Sequence, residues 1–372
     1  MVPPALPIYR HQSSLEGVID FSSREPLPVS HRASAIRRFY HIINHFDGNV
    51  TKRVSKDNLL IAVFEFLKLL ISAEEDIDFE DATYRGELKN HLYEFADYLI
   101  DNFFLPQVKA LTKKTPQPTP ASHSAVMKTQ RQDHVFSGTP EHLATLRGAC
   151  LIRDRYRCVI SRKFDRAEAL KRFQQHGGNK AVDQDDVPLA DPGQRFDYLE
   201  VAHILPHSLT QLNSSKELNS SKVAALAILN MFDSGVVHLI EGTDIDRPSN
   251  ALTLTLSHHV SFGDFRVYFE PVGDTPHTYR IGTFLPPGLA EDVPVTRTLF
   301  LTEDKSIDPP SPRFLAIHRA IAHILHLSTA GDYIDDILSD VGEFGIRSDG
   351  STDLSRLLRL RLGDWAVGEV HG

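Results

Sequence analysis

The feature that most constrains the fold is the stretch 199–263, in which two strand patterns and one helix pattern follow each other. The first strand is predicted at Leu199–Pro206, because its residues are largely apolar and its final proline cannot donate to a sheet. The second is predicted at 250–256, where leucines alternate with threonines as in a half-buried strand. Ser257 is predicted to cap a short helix at His258–Phe265. The expected unit is therefore strand, long insert, strand and helix.

Three polar side chains fall at the joints of this unit. His203 lies where the first strand ends, Asn250 at the turn before the second strand, and His259 in the first turn of the helix. A neutral imidazole accepts a proton near neutral pH, because its unperturbed pKa is about 6.5. A second imidazole can bind a metal ion, and an amide at the turn can hold backbone groups. This pattern indicates metal-assisted hydrolysis of a phosphodiester.

The same residues resemble the motif of the HNH nuclease family. His203 stands in a His-Ile-x-Pro signature, eight residues separate Asn250 from His259, and Phe262-Gly263 follows as in one subfamily. The whole chain is similar to fungal proteins that carry an HNH domain. The resemblance implies an α+β protein with a ββα-metal domain, in which His203 is the general base, Asn250 a structural clamp and His259 a metal ligand. His258 is an alternative to His259, but the spacing favours His259.

One position departs from the family pattern. Many HNH enzymes carry a metal-binding Asp or His immediately before the base histidine, and here that residue is Ala202. Another oxygen would have to substitute, and Glu200 and Asp233 are the nearest candidates. Glu200 and His203 are three residues apart, so a regular strand would direct them to opposite faces unless a bulge intervened. The subfamily with Ala-His-Ile carries alanine here, and an inactive site is the other alternative.

The activity that the resemblance implies is metal-dependent cleavage of nucleic acid, with DNA as the expected substrate. Mg²⁺ is the expected ion, and Mn²⁺, Ni²⁺ or Zn²⁺ are alternatives for a site that contains histidine. The competing function is a catalytically inactive binding or scaffolding protein that retains the fold. Ala202 and the formal net charge of −9 favour this alternative, because a DNA-coating protein usually carries a basic face.

Composition sets the class of protein. Hydrophobic residues make up 41% and charged residues 24%, which are ordinary values for a globular protein. We find no apolar run of the roughly 20 residues that a membrane span needs and no apolar core of a signal peptide. The expectation is an intracellular protein, in the nucleus or cytoplasm, without a membrane partner. The sequence leaves the oligomeric state open.

The domain organisation is predicted from patterns of apolar residues and from breaks in them. Helical patterns at 32–46, 59–71 and 88–99 indicate a helical domain over residues 1–106. A linker is predicted at 107–136, where prolines and polar residues cluster. The HNH domain is expected at 137–290 and a helical C-terminal region at 291–372. That last region contains a helix after Ser311-Pro312 and further helical segments at 332–338 and 354–362.

The most basic local stretch lies between a helix predicted at 141–157 and the motif. Its side chains are candidate contacts to phosphates. They are Arg153, Arg155, Arg157, Arg162 and Lys163. A solvated helix face is the alternative interpretation of the same charges.

Other segments flank or interrupt the motif. Cys158–Ser161 is predicted to be a short strand, and the insert a helix at Lys222–Phe232 followed by a strand at Val236–Ile240. A hairpin is predicted from 266–272 to 278–284, whose aromatic residues could stack on bases but more often fill a core. The two cysteines, Cys150 and Cys158, form no Cys-x-x-Cys motif, so no zinc ribbon is predicted.

Overall fold

The computed structural model describes residues 96–112, 140–177, 180–212, 218–233, 235–304 and 306–328, together with Ile334. Helices and small sheets are mixed along these residues, which confirms the α+β class. The predicted helices at 32–46 and 59–71, most of 88–99, linker residues 113–136 and nearly all of the predicted C-terminal segments lie outside them. The beginning of the predicted linker is helical, because a helix continues to Thr112.

The described helices are α1 (Leu105–Thr112), α2 (Pro140–Arg153), α3 (Arg166–His176), α4 (Ser220–Phe232), α5 (Leu256–Gly263) and α6 (Pro312–Ser328). The strands are β1 (Phe164–Asp165), β2 (Phe196–Asp197), β3 (Leu199–His203), β4 (Ala251–Thr255), β5 (Val267–Pro271), β6 (Thr278–Thr283) and β7 (Val295–Thr298). Short 3-10 turns lie at His207–Thr210, Val236–Leu239, Gly242–Asp246, Pro248–Asn250 and Pro287–Leu289. None of the described helices is long and apolar enough to cross a membrane.

The chain divides into two compact units. One unit includes 220–234 and 320–365, and in it α4 contacts a π-helical turn at Ile100–Phe104. The other includes 107–219 and 235–319, and it contains β3, β4 and α5. All three motif residues therefore lie in this second unit.

Strands β3 and β4 form an antiparallel pair that α5 follows directly. The register sets Leu199 opposite Thr255 and His203 opposite Ala251, without a bulge. Helix α2 packs against this pair, where Leu146 and Cys150 meet Val201 and Ala251 in a buried cluster. The N-cap of α5 is Thr255, whose Oγ1 accepts from the N–H of His258, so the prediction of Ser257 as the cap was wrong by two residues.

The start of β3 is anchored by two side chains from other elements. The Asp165 carboxylate accepts from the N–H of Glu168 at 2.8 Å, which caps α3, and from the N–H of Leu199 at 3.2 Å. Arg147 of α2 donates to the carbonyl of Leu199 at 2.9 Å. These bonds fix the strand that ends at His203 relative to both helices.

The predicted hairpin after the motif is confirmed as β5 and β6, and β7 joins it to make three antiparallel strands. Its aromatic side chains are buried: Tyr268 exposes 2% of its surface, Phe269 1% and Tyr279 4%. Phe262 of α5 packs edge-on against Phe269. Stacking of these rings on bases was therefore the wrong alternative, and the core interpretation is confirmed.

Two predicted strands have other structures. Val236–Leu239 is a 3-10 turn that follows Gly235 in the left-handed conformation, because a short apolar run is compatible with either structure. The segment Cys158–Ser161 is a turn, although the N–H of Val159 still donates to the carbonyl of Thr253 in β4. The predicted helix in the insert is confirmed as α4.

Candidate functional site

His203 meets a carboxylate that lies 43 residues further along the chain. Its Nε2 is 3.0 Å from Oδ1 of Asp246, at the end of the 3-10 turn Gly242–Asp246. The same Oδ1 lies 2.7 Å from Nδ1 of His207, which begins the turn after Pro206. His203 and Asp246 expose 3% and 1% of their side chains and His207 exposes 31%. Solvent therefore reaches this group on the side of His207.

The environment of this group sets its protonation. Burial lowers the pKa of His203, the nearby His207 and His259 lower it further, and Asp246 opposes them, so the net direction is downward. Burial alone would raise the pKa of Asp246, but hydrogen bonds from His203 and His207 outweigh it and hold that pKa well below its usual range. At neutral pH the group therefore contains a carboxylate and a neutral His203.

Asn250 joins both ends of the insert to the strand pair. Its Nδ2 donates to the carbonyls of Leu205 and Ile245, each at 2.9 Å, and its Oδ1 accepts from the N–H of Leu205 at 2.9 Å. The N–H of Ile204 donates to its backbone carbonyl at 2.8 Å. Asn250 is fully buried, so these bonds are made away from water. The amide holds the chain just after His203 against the turn that supplies Asp246.

His259 pairs with Glu200 across the helix–strand contact. Its Nδ1 lies 2.8 Å from Oε2 of Glu200, with 7% and 16% of the two side chains exposed. The β3–β4 register is regular, so no bulge is needed for Glu200 to meet the helix. Ala202 is buried at 1% exposure and supplies no ligand. Glu200 thus faces His259, whereas His203 faces Asp246.

His258 is directed away from this pair. Its Nδ1 lies 2.7 Å from Oγ1 of Thr255 and its Nε2 lies 3.3 Å from the carbonyl of Glu291. Burial would lower the pKa of His258, but its hydrogen bond with Cys158 and the charge of that thiol raise it. His258 therefore belongs to a buried Cys–His pair, which leaves His259 as the histidine of α5 that meets Glu200.

Arg153 does not face solvent, which corrects its prediction as a phosphate contact. The residue exposes 1% of its surface and forms a bidentate pair with Asp154, with both N–O distances 2.9 Å. It also donates to the carbonyls of Pro248 at 2.7 Å and Ala251 at 2.8 Å. A guanidinium in this position fixes the turn that carries Asn250 and cannot reach a phosphate. The helix face was taken as solvated because the chain segments that cover it are distant in sequence.

The other basic candidates are in contact with protein groups. Arg155 pairs with Asp185, Arg157 with Asp183, and Lys163 with Asp197 at 3.4 Å. Arg162 donates to the carbonyl of Thr298, and its guanidinium lies 4.0 Å from the ring centroid of Phe300. Burial lowers the pKa of Arg162 to about 10. The side chains surround one flank of the domain, but each already has a partner.

Asp233 is not among the residues that converge here. It follows α4, in the other compact unit, and its N–H donates to the carbonyl of Leu229. Sequence reasoning instead missed Asp246 and His207. Each lies four residues from a motif residue, since His207 follows His203 and Asp246 precedes Asn250. The segments that hold them are irregular turns, so no period indicated that they would meet.

Two sets of side chains have the chemistry to hold a divalent ion. The first is the pair of Glu200 and His259, with one carboxylate and one imidazole. The second comprises His203, His207 and Asp246, whose ligand atoms lie within 4.8 Å of one another. Carboxylate and imidazole donors together suit Mn²⁺, Ni²⁺ and Zn²⁺, whereas Mg²⁺ prefers oxygen. Both sets therefore fit a divalent metal.

The comparisons with known proteins agree with this geometry. Residues 158–270 match the family model described as HNH endonuclease. The matched range includes the three motif residues and also Glu200 and Asp246. No curated protein and no solved structure matches the chain. The resemblance to HNH endonucleases is confirmed for this part of the chain, and the similarity to fungal proteins stays an expectation.

Proposed function

We propose that the HNH endonuclease domain at 158–270 hydrolyses phosphodiester bonds of nucleic acid with a divalent ion, and that DNA is the substrate. The observation that carries the proposal is the convergence of the motif on one strand–helix unit. His203 at the end of β3 meets an ionised carboxylate, and His259 on α5 meets Glu200. The charge of His259 contributes to the low pKa of His203, so the two histidines act within one electrostatic environment.

His203 is the general base in this proposal. With its Nε2–H donating to Oδ1 of Asp246, the imidazole carries its lone pair on Nδ1, where it accepts a proton from the attacking water. Asp246 fixes this tautomer and stabilises the imidazolium that forms. The lowered pKa of His203 keeps the ring neutral at physiological pH, as a base must be.

Glu200 and His259 are the ligands proposed for the catalytic ion. Glu200 supplies the carboxylate that the family pattern places before the base histidine, where this chain has Ala202. When bound, the ion would polarise the phosphate and stabilise charge on the departing oxygen. The 2.8 Å contact between Glu200 and His259 orders both side chains on rigid elements before any ion binds.

The surrounding residues serve the geometry of the base. Asn250 is the structural clamp that keeps the chain after His203 against the turn of Asp246. Contact with the nucleic-acid backbone is assigned to the flank that carries Arg155, Arg157, Arg162 and Lys163. These side chains would exchange carboxylate or carbonyl partners for phosphates on binding, which makes the contact dependent on salt.

A second function has one specific observation in its favour. Ala202 stands where many HNH enzymes carry a metal ligand, which fits a domain that binds nucleic acid or another partner without cleaving it. The intact His203–Asp246 pair favours the enzyme, because an inactive domain has no need of an ionised carboxylate against a neutral histidine.

Plasmid nicking separates the two functions. The purified chain is incubated with supercoiled plasmid, single-stranded DNA or RNA in Mg²⁺ or Mn²⁺, with an EDTA-treated sample as control. Metal-dependent conversion of plasmid to open circles supports the enzyme and its DNA substrate. Cleavage of RNA alone would assign the other nucleic acid, and binding without cleavage under every condition would support the scaffold.

A further inference from the structure

We propose that His203, His207 and Asp246 form a second metal site, which takes a late first-row transition metal ion such as Zn²⁺ and thereby inactivates the base. The site is separate from the Glu200–His259 pair to which the catalytic ion is assigned. The binding half of this proposal stands on the geometry alone. The inhibition half rests on the proposed function, in which His203 is the base.

The donor set and its spacing fit such an ion. Two imidazole nitrogens and one carboxylate are the protein ligands of many zinc sites that keep a fourth position for water. Ligand atoms around a tetrahedral zinc ion lie roughly 3.3 Å apart, as follows from Zn–N distances of about 2.0–2.1 Å. Here Oδ1 of Asp246 lies 3.0 Å from Nε2 of His203 and 2.7 Å from Nδ1 of His207. Small side-chain rotations would open this group to the spacing that an ion requires.

The second oxygen of Asp246 points independently to a cation. Oδ2 is buried and has no hydrogen-bond partner among the described residues, although Asp246 exposes only 1% of its side chain. A buried carboxylate oxygen without a donor costs free energy, on the order of 1–3 kcal/mol. A cation at this group would compensate it. The 31% exposure of His207 gives an ion a path from solvent to the three ligand atoms.

Metal binding would change the tautomer of the base. Without an ion, the Nε2–H of His203 and the Nδ1–H of His207 donate to Asp246. A metal ion binds the lone pair of an imidazole nitrogen, so the proton of each neutral ring moves to its other nitrogen. His203 would then carry hydrogen on Nδ1, the atom that accepts the proton of water in the proposed reaction. Occupancy of the site and activity of the base therefore exclude each other.

The binding test uses zinc alone and needs no nuclease assay. The full chain, freed of metal with EDTA and dialysed, is titrated with Zn²⁺ against a chromophoric chelator. We expect the affinity to fall at least 10-fold in His207→Ala and in Asp246→Asn. His238→Ala is the matched control, since His238 exposes 82% of its side chain and only Glu241 lies near it, at 3.7 Å. Its zinc affinity should equal that of the wild type.

A further variant separates the two metal sites. In the Glu200→Gln, His259→Ala double variant, zinc should still bind with wild-type affinity at the site of His207. Because His207 is partly exposed, its replacement leaves the fold intact, and circular dichroism checks this. Zinc affinity unchanged in His207→Ala, or lost only in the double variant, would overturn the proposal.

The inhibition test uses cleavage with Mg²⁺ while Zn²⁺ is added. Each protein is normalised to its own rate without zinc. We expect half-inhibition of His207→Ala to need at least 10-fold more zinc than that of the wild type. Zinc that binds through His207 and yet accelerates cleavage would contradict the inhibitory role, whereas absence of cleavage with any ion would contradict the proposed function and leave the binding result intact.

Discussion

Nδ1 of His259 lies 2.8 Å from Oε2 of Glu200, so the first helix turn after β4 is joined to the middle of β3 by a carboxylate–imidazole contact. The strand pair is regular at this point. Glu200 therefore reaches the helix from the face of β3 opposite to the one that directs His203 to Asp246. One strand thus supplies both a proposed metal ligand and the proposed base.

Replacing Glu200 by glutamine should weaken the requirement for metal without disturbing the fold. The amide preserves the shape but removes the charge that holds a divalent ion. We expect the Mg²⁺ concentration for half-maximal plasmid nicking to rise at least 10-fold. Glu241→Gln is the matched control, because Glu241 is 77% exposed and pairs only loosely with His238, at 3.7 Å. An equal metal requirement in both variants would remove Glu200 from the ligand set.

Asn250→Ala should destabilise the domain by roughly 3 kcal/mol, because it leaves three buried backbone groups without partners. Those groups are the N–H and carbonyl of Leu205 and the carbonyl of Ile245. The free energy of unfolding is measured by urea denaturation. Asn102→Ala serves as control, since the amide of Asn102 makes a single surface bond, to the carbonyl of Tyr98. A loss no larger than that of the control would show that Asn250 is not a clamp.

Arg153→Met should lower stability and leave electrostatic binding of DNA unchanged. Methionine retains the apolar bulk but leaves Asp154 buried without its partner, which costs about 3–5 kcal/mol. Arg195→Met removes a guanidinium that is 58% exposed and pairs with Asp292, and should cost less than about 1 kcal/mol. The salt dependence of DNA affinity, measured where both fold, should be the wild-type slope for Arg153→Met. A shallower slope would restore Arg153 as a phosphate contact.

Acid should destabilise the protein through His318. Its Nε2–H donates to the carbonyl of Phe262 at 3.0 Å, its ring stacks on Phe262 at 3.8 Å, and burial lowers its pKa to about 3. The unfolded chain binds a proton below pH 6.5 and the folded chain does not, so stability falls between pH 6.5 and about 3. The slope from this group is about 1.4 kcal/mol per pH unit.

Urea denaturation of the wild type and of His318→Leu, at pH 7 and at pH 4.5, isolates this contribution. Leucine can fill the space beside Phe262 and has no proton to gain. The stability of the variant should therefore depend less on pH than that of the wild type. Parallel decreases in both proteins would show that other groups carry the acid sensitivity.

Local pattern was sufficient to predict the strand–strand–helix unit. The alternation of leucine and threonine predicted β4, and the spacing from Asn250 to His259 survived although the helix begins two residues before the predicted start. The hairpin of β5 and β6 was predicted for the same reason. These features depend on neighbours in sequence, which a single chain displays.

The partners of the site depend on contacts across long sequence distances. Asp246 reaches His203 through a 3-10 turn within an irregular insert, and no period marks such a turn. The burial of Arg153 results from Pro248 and Ala251, which lie 95 and 98 residues away. Helical spacing identified the charge of Arg153 but not the segments that cover it. Glu200 was expected to need a bulge because His203 was taken as its target instead of His259.

The most direct test of the account is the rate of plasmid nicking by His203→Ala in Mg²⁺ or Mn²⁺, compared with wild type and with His238→Ala. His238 is a histidine of the same domain whose side chain is 82% exposed. Loss of a general base should slow cleavage roughly 100-fold or more, while the control stays within about 2-fold of wild type. Circular dichroism establishes that both variants are folded. A folded His203→Ala protein that nicks plasmid at the wild-type rate would contradict the account.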